Sequence, residues 1–363
     1  MSERDRVQAE GILRLLLADA DPSDTVRRIG WPGLATLARR HNVLLRVADR
    51  LEKGGEPGAH SFREAVLQER ESARVALNVV ERVSRACEEL GIAFLFPKAF
   101  QHLPDIGADL DLLVLSDDPA VDLRILEAAG LRARRRARSR LTGATSYEID
   151  ACPTLLDVQH GRLGRMGEDG LFARMMLAAA HHRTADGREA RALSAEHQLV
   201  LQGMQRIFGR TDVRLSDIVY TVASLRRDDL DWGQVLETAR AFQVLDGLAC
   251  YLVYVDQIHR EVIAGTPLPL PMVLRARAER WGRLEFRRGS YRFPTLRVNG
   301  ALYLAKLDAE VRERNWSAAG RLCLAPAIAI GSLVRRAMHA GLRQVAAPRE
   351  TRPQAARHLN SLS

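Results

Sequence analysis

Cysteine is scarce in this chain, and its few copies are widely separated. The four cysteines are Cys87, Cys152, Cys250 and Cys323, and none belongs to a Cys-x-x-Cys pair. Structural zinc sites usually draw ligands from such close pairs, and a disulfide framework needs a denser set. The sequence therefore argues against both and favours a reducing compartment such as the cytoplasm.

Long apolar runs are also missing. No stretch reaches the roughly 18 apolar residues of a membrane-spanning helix, and the first residues, Met-Ser-Glu-Arg-Asp-Arg, lack the apolar segment of a signal peptide. We therefore expect a soluble cytoplasmic protein without a transmembrane span. Hydrophobic residues make up 47% and charged residues 27% of the 363 residues, which is the balance of a globular protein.

Lysine and the aromatic residues are both rare. Only Lys53, Lys98 and Lys306 are lysines, so the net charge of +9 comes almost wholly from arginine, and aromatics amount to 5%. A basic chain can bind nucleic acid, an anionic membrane or an anionic substrate such as a nucleotide. The densest basic run, residues 132–140, has no interleaved aromatic side chain for base stacking. This favours a solvated surface with one anion site over a nucleic-acid partner.

The spacing of apolar residues divides the chain into helical and strand segments. A helical period covers residues 9–53 and 61–90, and short apolar runs at 92–96, 110–115 and 154–158 predict strands. A helix is expected over 122–129 and a hairpin around Gly143. The helical period returns from residue 168 to about 318, so strands are expected only between roughly 92 and 160.

The expected fold class is α+β, a small mixed β-sheet core flanked by N-terminal and C-terminal helical regions. We divide the chain into a helical region (1–90), an α/β core (91–165), a helical domain (166–318) and a C-terminal amphipathic helix with its tail (319–363). The apolar stretch 322–340 contains Arg335, Arg336 and His339, and Arg343 follows it, so one face of the expected helix is basic. That helix either packs on the helical domain or makes weak peripheral contact with an anionic membrane through residues 322–343.

Three aspartates on two predicted strands form the candidate chemical site. Asp109 and Asp111 stand two residues apart on one strand, so their side chains share a face. Asp157 lies between apolar residues on a strand expected to be adjacent. Neighbouring carboxylates repel each other unless a cation neutralises them, and hard oxygen ligands suit Mg²⁺ or Mn²⁺ rather than zinc. In phosphoryl transfer such metals bind the phosphates and the attacking hydroxyl.

Several segments, in order along most of the chain, resemble the uncharacterised nucleotidyltransferase family of the polymerase-beta-like superfamily. They are Leu37-Ala-Arg-Arg-His-Asn-Val43, Gly91-Ile-Ala-Phe-Leu-Phe-Pro-Lys98, Asp109-Leu-Asp-Leu-Leu-Val114, Asp157-Val-Gln-His160, Leu193-Ser-Ala-Glu-His197, Arg214-Leu-Ser-Asp-Ile218 and Asp231-Trp232. The resemblance implies a nucleotidyltransferase fold and transfer from a nucleoside triphosphate such as ATP.

The resemblance also implies roles for individual residues. Asp109, Asp111 and Asp157 would be catalytic and would bind Mg²⁺ or Mn²⁺, with Asp157 orienting or deprotonating the acceptor hydroxyl. Lys98 and Ala99 would lie at the nucleotide, with Lys98 directed at the triphosphate. His160 would support the acceptor, or be a structural histidine whose hydrogen bonds are satisfied within the fold.

The chain departs from the family pattern in three places. Pro97-Lys98-Ala99 replaces the glycine turn whose backbone N–H groups approach phosphates, and proline donates none. Asp105 precedes the Asp pair where the family often has an arginine, and Gln159 stands where the family has a histidine.

Two main functions follow from these patterns. The first is a metal-dependent nucleotidyltransferase acting on a hydroxyl or phosphate acceptor of a small molecule, a peptide or protein, or RNA. The second is a catalytically degenerate nucleotidyltransferase fold serving as a binding or regulatory module. A weaker third is an RNA- or membrane-surface binder driven by the arginine run and the tail.

Overall fold

A computed structural model of the chain describes residues 3–324, apart from residues 19, 57, 99, 117, 119, 140–142, 165–166, 186, 210–211, 264, 279–283 and 288. Among the helices of this part, none combines the length and the apolar character needed to cross a membrane. The expected helix over 322–340, its membrane contact through 322–343 and the tail lie almost entirely outside the described residues.

The N-terminal segment is helical, as its apolar period predicts. It contains α1 (Glu3–Leu17), α2 (Pro22–Ile29), α3 (Trp31–Arg40), α4 (Leu44–Lys53) and α5 (His60–Glu89). The apolar stripe of the long α5 helix is buried: Ala73, Ala76, Leu77, Val80, Val83 and Cys87. Just beyond this helix, Gly91 adopts a φ of 65°, which glycine tolerates without strain.

The strands that follow form one five-stranded mixed sheet. They are β1 (Ala93–Leu95), β2 (Asp109–Leu115), β3 (Ala133–Arg138), β4 (Thr145–Ile149) and β5 (Leu155–His160), with α6 (Val121–Ala128) between β2 and β3. The order is β1-β2-β5-β4-β3; β2 and β5 pair in parallel, and the other pairs are antiparallel. The predicted strands, hairpin and helix of this segment are confirmed, as is the α+β fold class.

The rest of the described chain is mainly helical. It contains α7 (Gly170–Ala179), α8 (Ala195–Met204), α9 (Leu215–Leu225), α10 (Trp232–Ala241), α11 (Leu245–Val262), α12 (Met272–Ala278) and α13 (Gly300–Arg312). A π-helical segment, Gln205–Gly209, continues α8, and another, Thr295–Asn299, precedes α13. The division of the chain into four domains stays a prediction.

The expectation that strands are confined to residues 92–160 is wrong. A hairpin of β6 (His181–Ala185) and β7 (Arg188–Ala192) follows α7, and β8 (Asp212–Val213), β9 (Glu285–Arg287) and β10 (Ser290–Arg292) form a small sheet. Between β6 and β7 stands Asp186-Gly187, a sequence typical of two-residue hairpin turns. The hairpin covers the end of β1, because the Phe96 N–H donates to the Arg191 carbonyl at 3.1 Å.

The two faces of the five-stranded sheet pack against different layers. One face is apolar and shares a core with α5 and α6; its β2 residues are Leu110, Leu112 and Val114. On the other face, Leu95 and Leu113 belong to a second core built largely from the helices of the second half. Side chains alternate along a strand, so Asp109 and Asp111 share the face of Leu113. This places both aspartates between the sheet and the second half of the chain.

Candidate active site

The fold brings the three predicted aspartates together. Parallel pairing sets Asp111 of β2 directly beside Asp157 of β5, and Asp109 lies two residues earlier on the same face of β2. One carboxylate oxygen from each residue lies within 4.8 Å of the others, and all three side chains are half-buried. This is an all-oxygen donor set of the kind that Mg²⁺ and Mn²⁺ prefer.

Both oxygens of Asp111 have partners from the protein. The Lys98 ammonium forms an ion pair with Oδ2, and the Gln159 amide donates to Oδ1 at 2.9 Å. Lys98 therefore lies at the aspartates. Gln159 shares the face of Asp157 because the two are two residues apart on β5. Together these contacts hold the Asp111 carboxylate in one orientation.

Asp157 has an unsatisfied oxygen. Its Oδ1 is buried and has no hydrogen-bond partner in the described structure. Burial raises the pKa of this carboxyl group, a Ser146 hydrogen bond opposes the rise, and the charges of Asp111 and Asp109 add to it. Since a buried acceptor without a donor is unfavourable, a bound cation would satisfy Oδ1 and relieve the repulsion. The residues present therefore fit a divalent metal ion.

A cleft opens beside the aspartates, and distant parts of the chain line it. The polar residues in its wall, besides Asp105, Asp109 and Asp111, are Asn42, Lys98, His102, Arg206, Arg214 and Ser216. Asn42 follows α3, whereas Arg206, Arg214 and Ser216 come from the second half. Sequence reasoning did not assign Asn42, Arg206 or Arg214 to the site. The indication in the sequence of a role at the site was that Asn42 and Arg214 lie within the segments that resemble the family.

A fully buried carboxylate, Asp217, holds Arg206 in the cleft wall. Arg206 Nη2 donates to Asp217 Oδ1 at 2.7 Å, and the same oxygen accepts from Gln202 at 3.2 Å. The Arg214 backbone N–H donates to Asp217 Oδ2 at 2.8 Å at the start of α9. Arg206 belongs to the π-helical segment after α8, and its Nη1 is buried without a partner in the described structure. One end of the guanidinium is therefore fixed, and the other has unused donors.

Asp105, the carboxylate in place of an arginine, has a structural role. Its Oδ1 accepts from the Leu45 N–H at 2.7 Å and its Oδ2 from the Arg46 N–H at 3.3 Å, at the start of α4. Burial raises the pKa of Asp105 to about 6. Because the first N–H groups of a helix have no partners within it, Asp105 acts as their cap.

Two histidines near the cleft are neutral at physiological pH. Burial lowers the pKa of His41 to about 4 and that of His102 to about 3. His41 Nε2 lies 2.9 Å from the Gly289 carbonyl, and Nδ1 accepts from the Leu215 N–H at 3.4 Å. His41, which stands in one of the segments resembling the family, therefore connects the start of α9 with Gly289, between β9 and β10.

The structure does not bring His160 to the aspartates. It is three positions beyond Asp157 on β5, so it points to the opposite face, where Nε2 lies 3.0 Å from Asp122 Oδ1. Ala99, the other residue expected at the nucleotide, lies outside the described residues.

One of three comparisons with known proteins, the match to a family model, identifies the family of the chain. A family model described as "Uncharacterised nucleotidyltransferase" matches residues 27–259, a range that includes the three aspartates and the cleft residues. No curated protein matches the chain. A search of solved structures found the solution structure of the antibiotic-resistance factor ANT(2'')-Ia, at 14% identity and a TM-score of 0.28, over 53% of this chain and 91% of that one. This last likeness is too weak to support a substrate. The family match covers most of the chain, which therefore belongs to the uncharacterised nucleotidyltransferase family and is a transferase.

Proposed function

We propose that the protein is a metal-dependent nucleotidyltransferase that moves a nucleoside monophosphate from a nucleoside triphosphate, such as ATP, to a hydroxyl or phosphate acceptor. The main observation behind this proposal is the cluster of Asp109, Asp111 and Asp157 on adjacent parallel strands, with carboxylate oxygens within 4.8 Å of one another. The family match supports the reaction class. The acceptor belongs to a small molecule, a peptide or protein, or RNA.

The three aspartates would hold Mg²⁺ or Mn²⁺, which supplies positive charge at the phosphates and favours ionisation of the acceptor. The acceptor oxygen forms a bond to the α-phosphorus, the bond between the α-phosphorus and the bridging oxygen breaks, and pyrophosphate leaves. Asp157 is the residue suited to orient the acceptor hydroxyl or take its proton. Its raised pKa makes it a better proton acceptor than an ordinary aspartate.

Cationic side chains replace the backbone N–H groups of a glycine turn as hydrogen-bond donors to the phosphates. Lys98 is at the aspartates, and Arg206 and Arg214 line the same cleft. Arginine donates two parallel hydrogen bonds to a phosphate group, so the pair can replace the backbone N–H groups that Pro97 does not supply. Arg206 Nη1, buried without a partner in the described part of the chain, is one donor free for this contact.

Lys98→Met is expected to raise metal affinity and lower transfer at the same time. The ammonium competes with a cation for Asp111, so removing it should tighten Mn²⁺ binding by about three- to tenfold. Loss of a charged phosphate contact should lower kcat/KM for the triphosphate by roughly 10- to 100-fold. Mn²⁺ calorimetry and transfer rates measure the two effects, with Lys53→Met, an exposed lysine at the end of α4, as the control. Weaker metal binding together with slower transfer would assign Lys98 a structural role instead.

Label transfer tests the proposed reaction directly. The protein is incubated with Mg²⁺, each α-labelled nucleoside triphosphate and a cell extract as the acceptor source. We expect one or more triphosphates to label an acceptor in wild type, and neither the Asp109→Ala variant nor an EDTA-treated sample to do so. Absence of transfer with every triphosphate, or transfer that survives Asp109→Ala, would refute the proposal.

The second candidate, a degenerate binding or regulatory module, is favoured by one observation. Lys98 and Gln159 engage both oxygens of Asp111, which a metal would have to displace at least in part. Calorimetry with nucleotide and Mg²⁺ separates the two functions. Metal-dependent micromolar binding supports the transferase, whereas absence of binding supports the module.

A further inference from the structure

A second recess lies on the face of the sheet that points away from the aspartates. It is bounded by the end of β2, by β3 and β4, and by the end of β5. Its basic residues are Arg135, Arg138, His160 and Arg162. A small molecule bound there cannot touch Asp111 or Asp157, because their side chains leave the sheet on the opposite face. The recess is therefore separate from the candidate active site.

A β-bulge turns two arginines of the basic run toward this recess. Arg135 stands opposite Tyr147 and Arg138 opposite Thr145, although the two arginines are three positions apart, because the pairing of β3 with β4 shifts between Arg135 and Ala137. Without that shift, alternation would place them on opposite faces. Both guanidinium charges act on the Tyr147 hydroxyl and lower its pKa against the dominant effect of burial.

The other two arginines of β3 are already neutralised on the opposite face. Arg134 forms an ion pair with Glu148, and Arg136 Nη1 lies 3.4 Å from Glu148 Oε1. The edge strand β3 therefore carries two arginines that form ion pairs with Glu148 and, within the described residues, two that form no ion pair. The unpaired pair faces the recess.

The carboxylates in the recess have partners of their own. Asp122, which is buried, lies 3.0 Å from His160 Nε2 and accepts from the Tyr147 hydroxyl at 3.0 Å. Asp118 lies 3.3 Å from Arg124. Within the described residues, no ion pair engages the three arginines that line the recess: Arg135, Arg138 and Arg162. Such a concentration of positive charge in a concave site attracts an anion.

We propose that this recess binds the phosphate group of a small phosphorylated ligand. The guanidinium groups of Arg135, Arg138 and Arg162 provide the forked donors that phosphate oxygens prefer. The hydrogen bond between Asp122 and Tyr147 holds these two lining side chains in place. A recess suits a small ligand better than a nucleic-acid strand, because Tyr147, the tyrosine among the described residues that line it, is buried and its hydroxyl is engaged. The proposal does not depend on nucleotidyl transfer.

Calorimetry with inorganic phosphate and pyrophosphate tests the proposal. It is run in EDTA on protein carrying Asp109→Ala, which removes metal-dependent binding and transfer; any binding by Lys98, Arg206 and Arg214 in the cleft is the same in the recess and control variants. The Arg135→Gln/Arg138→Gln variant should bind at least about tenfold more weakly than the parent. The matched control is Arg134→Gln/Arg136→Gln, which removes the same charge from the same strand on the other face. Arg162→Gln, in a different segment, should also weaken binding.

The outcomes separate cleanly. Binding that weakens at least about tenfold in Arg135→Gln/Arg138→Gln, weakens in Arg162→Gln and is kept in the control supports the proposal. No binding by the parent, or equal weakening in recess and control variants, overturns it. A single-stranded RNA that binds more tightly than pyrophosphate, with the same dependence on the arginines, overturns the small ligand in favour of a nucleic-acid backbone. Circular dichroism confirms that each variant is folded, which the exposure of these arginines favours.

Discussion

Asp157→Asn is expected to reduce nucleotidyl transfer by at least about a thousandfold. Asparagine keeps the size of the side chain but removes the charge that would bind a metal and the basic oxygen that would accept a proton. Asp157 is the residue of the cluster whose Oδ1 is buried without a partner in the described structure. The measurement is the single-turnover rate of label transfer at saturating Mg²⁺.

Glu148→Gln is the matched control for this loss. Glu148 lies on β4, on the same face as Ser146, which stands opposite Asp157, but it pairs with Arg134 and not with the aspartates. The control should keep its full rate. A rate for Asp157→Asn within tenfold of wild type would show that the third carboxylate is dispensable, and the proposed role of Asp157 would fail.

The same substitution should stabilise the protein when metal is absent. In EDTA at pH 7 we expect Asp157→Asn to raise the free energy of unfolding by about 1 kcal/mol, as substitutions at strained active sites commonly do. The reason is that burial and the charges of Asp111 and Asp109 disfavour the ionised form of Asp157. Saturating Mg²⁺ should reverse the order, since metal at 100 times its Kd stabilises the wild type by about 2.7 kcal/mol.

The pH dependence of this difference has a defined sign. A carboxyl group whose pKa is raised in the folded state binds more protons there than in the unfolded state, so stability falls as pH rises. The contribution of Asp157 is most favourable below its unfolded pKa and is lost as pH rises through the folded value. Asp105, with a pKa near 6, behaves in the same way but is present in both proteins. The free energy of unfolding of wild type minus that of Asp157→Asn, measured by urea unfolding in EDTA, should therefore decrease as the pH rises above about 4. A difference that does not change with pH would contradict the assignment.

Alternation along a strand predicted one part of the aspartate cluster, and the expectation that the strand of Asp157 is adjacent supplied the other. Asp109 and Asp111 share a face because they are two positions apart, and Asp157 joins them because its strand is the parallel neighbour. The same rule, applied to Asp157 and His160, places His160 on the other face, where the structure has it. The residue that reaches Asp111 from that segment is Gln159, which the sequence showed only as a departure from the family.

The cleft wall could not be predicted in this way. Arg206 and Arg214 lie about a hundred residues from the Asp pair, and no local period shows which face of a helix will meet the sheet. The β6–β7 hairpin was missed for a different reason. Its strands are short, polar and rich in arginine and histidine, so they lack the apolar alternation that marks a half-buried strand. Only the Asp-Gly turn indicated it.

Arg206→Met is expected to lower the free energy of unfolding by about 3–5 kcal/mol, the usual result of removing one partner of a buried ion pair. Asp217 is fully buried, and Arg206 is the guanidinium in contact with it, at 2.7 Å. Gln202 and the Arg214 N–H also donate to Asp217, but neither carries a formal charge. Methionine fills similar space, so the loss measures the unpaired carboxylate rather than a cavity.

Arg214→Met separates this structural role of Arg206 from phosphate binding. Arg214 lines the same cleft, but its contact with Asp217 is through the backbone N–H, which the substitution keeps. We expect Arg214→Met to weaken triphosphate binding while changing the free energy of unfolding by less than about 1 kcal/mol.

Adding Asp217→Asn to Arg206→Met should restore part of the lost stability, because the double variant has neither of the two buried charges. Urea unfolding of the four proteins tests this. Equal losses in the two arginine variants would mean that the cleft wall depends on packing, and that Asp217 does not hold Arg206 in place by charge.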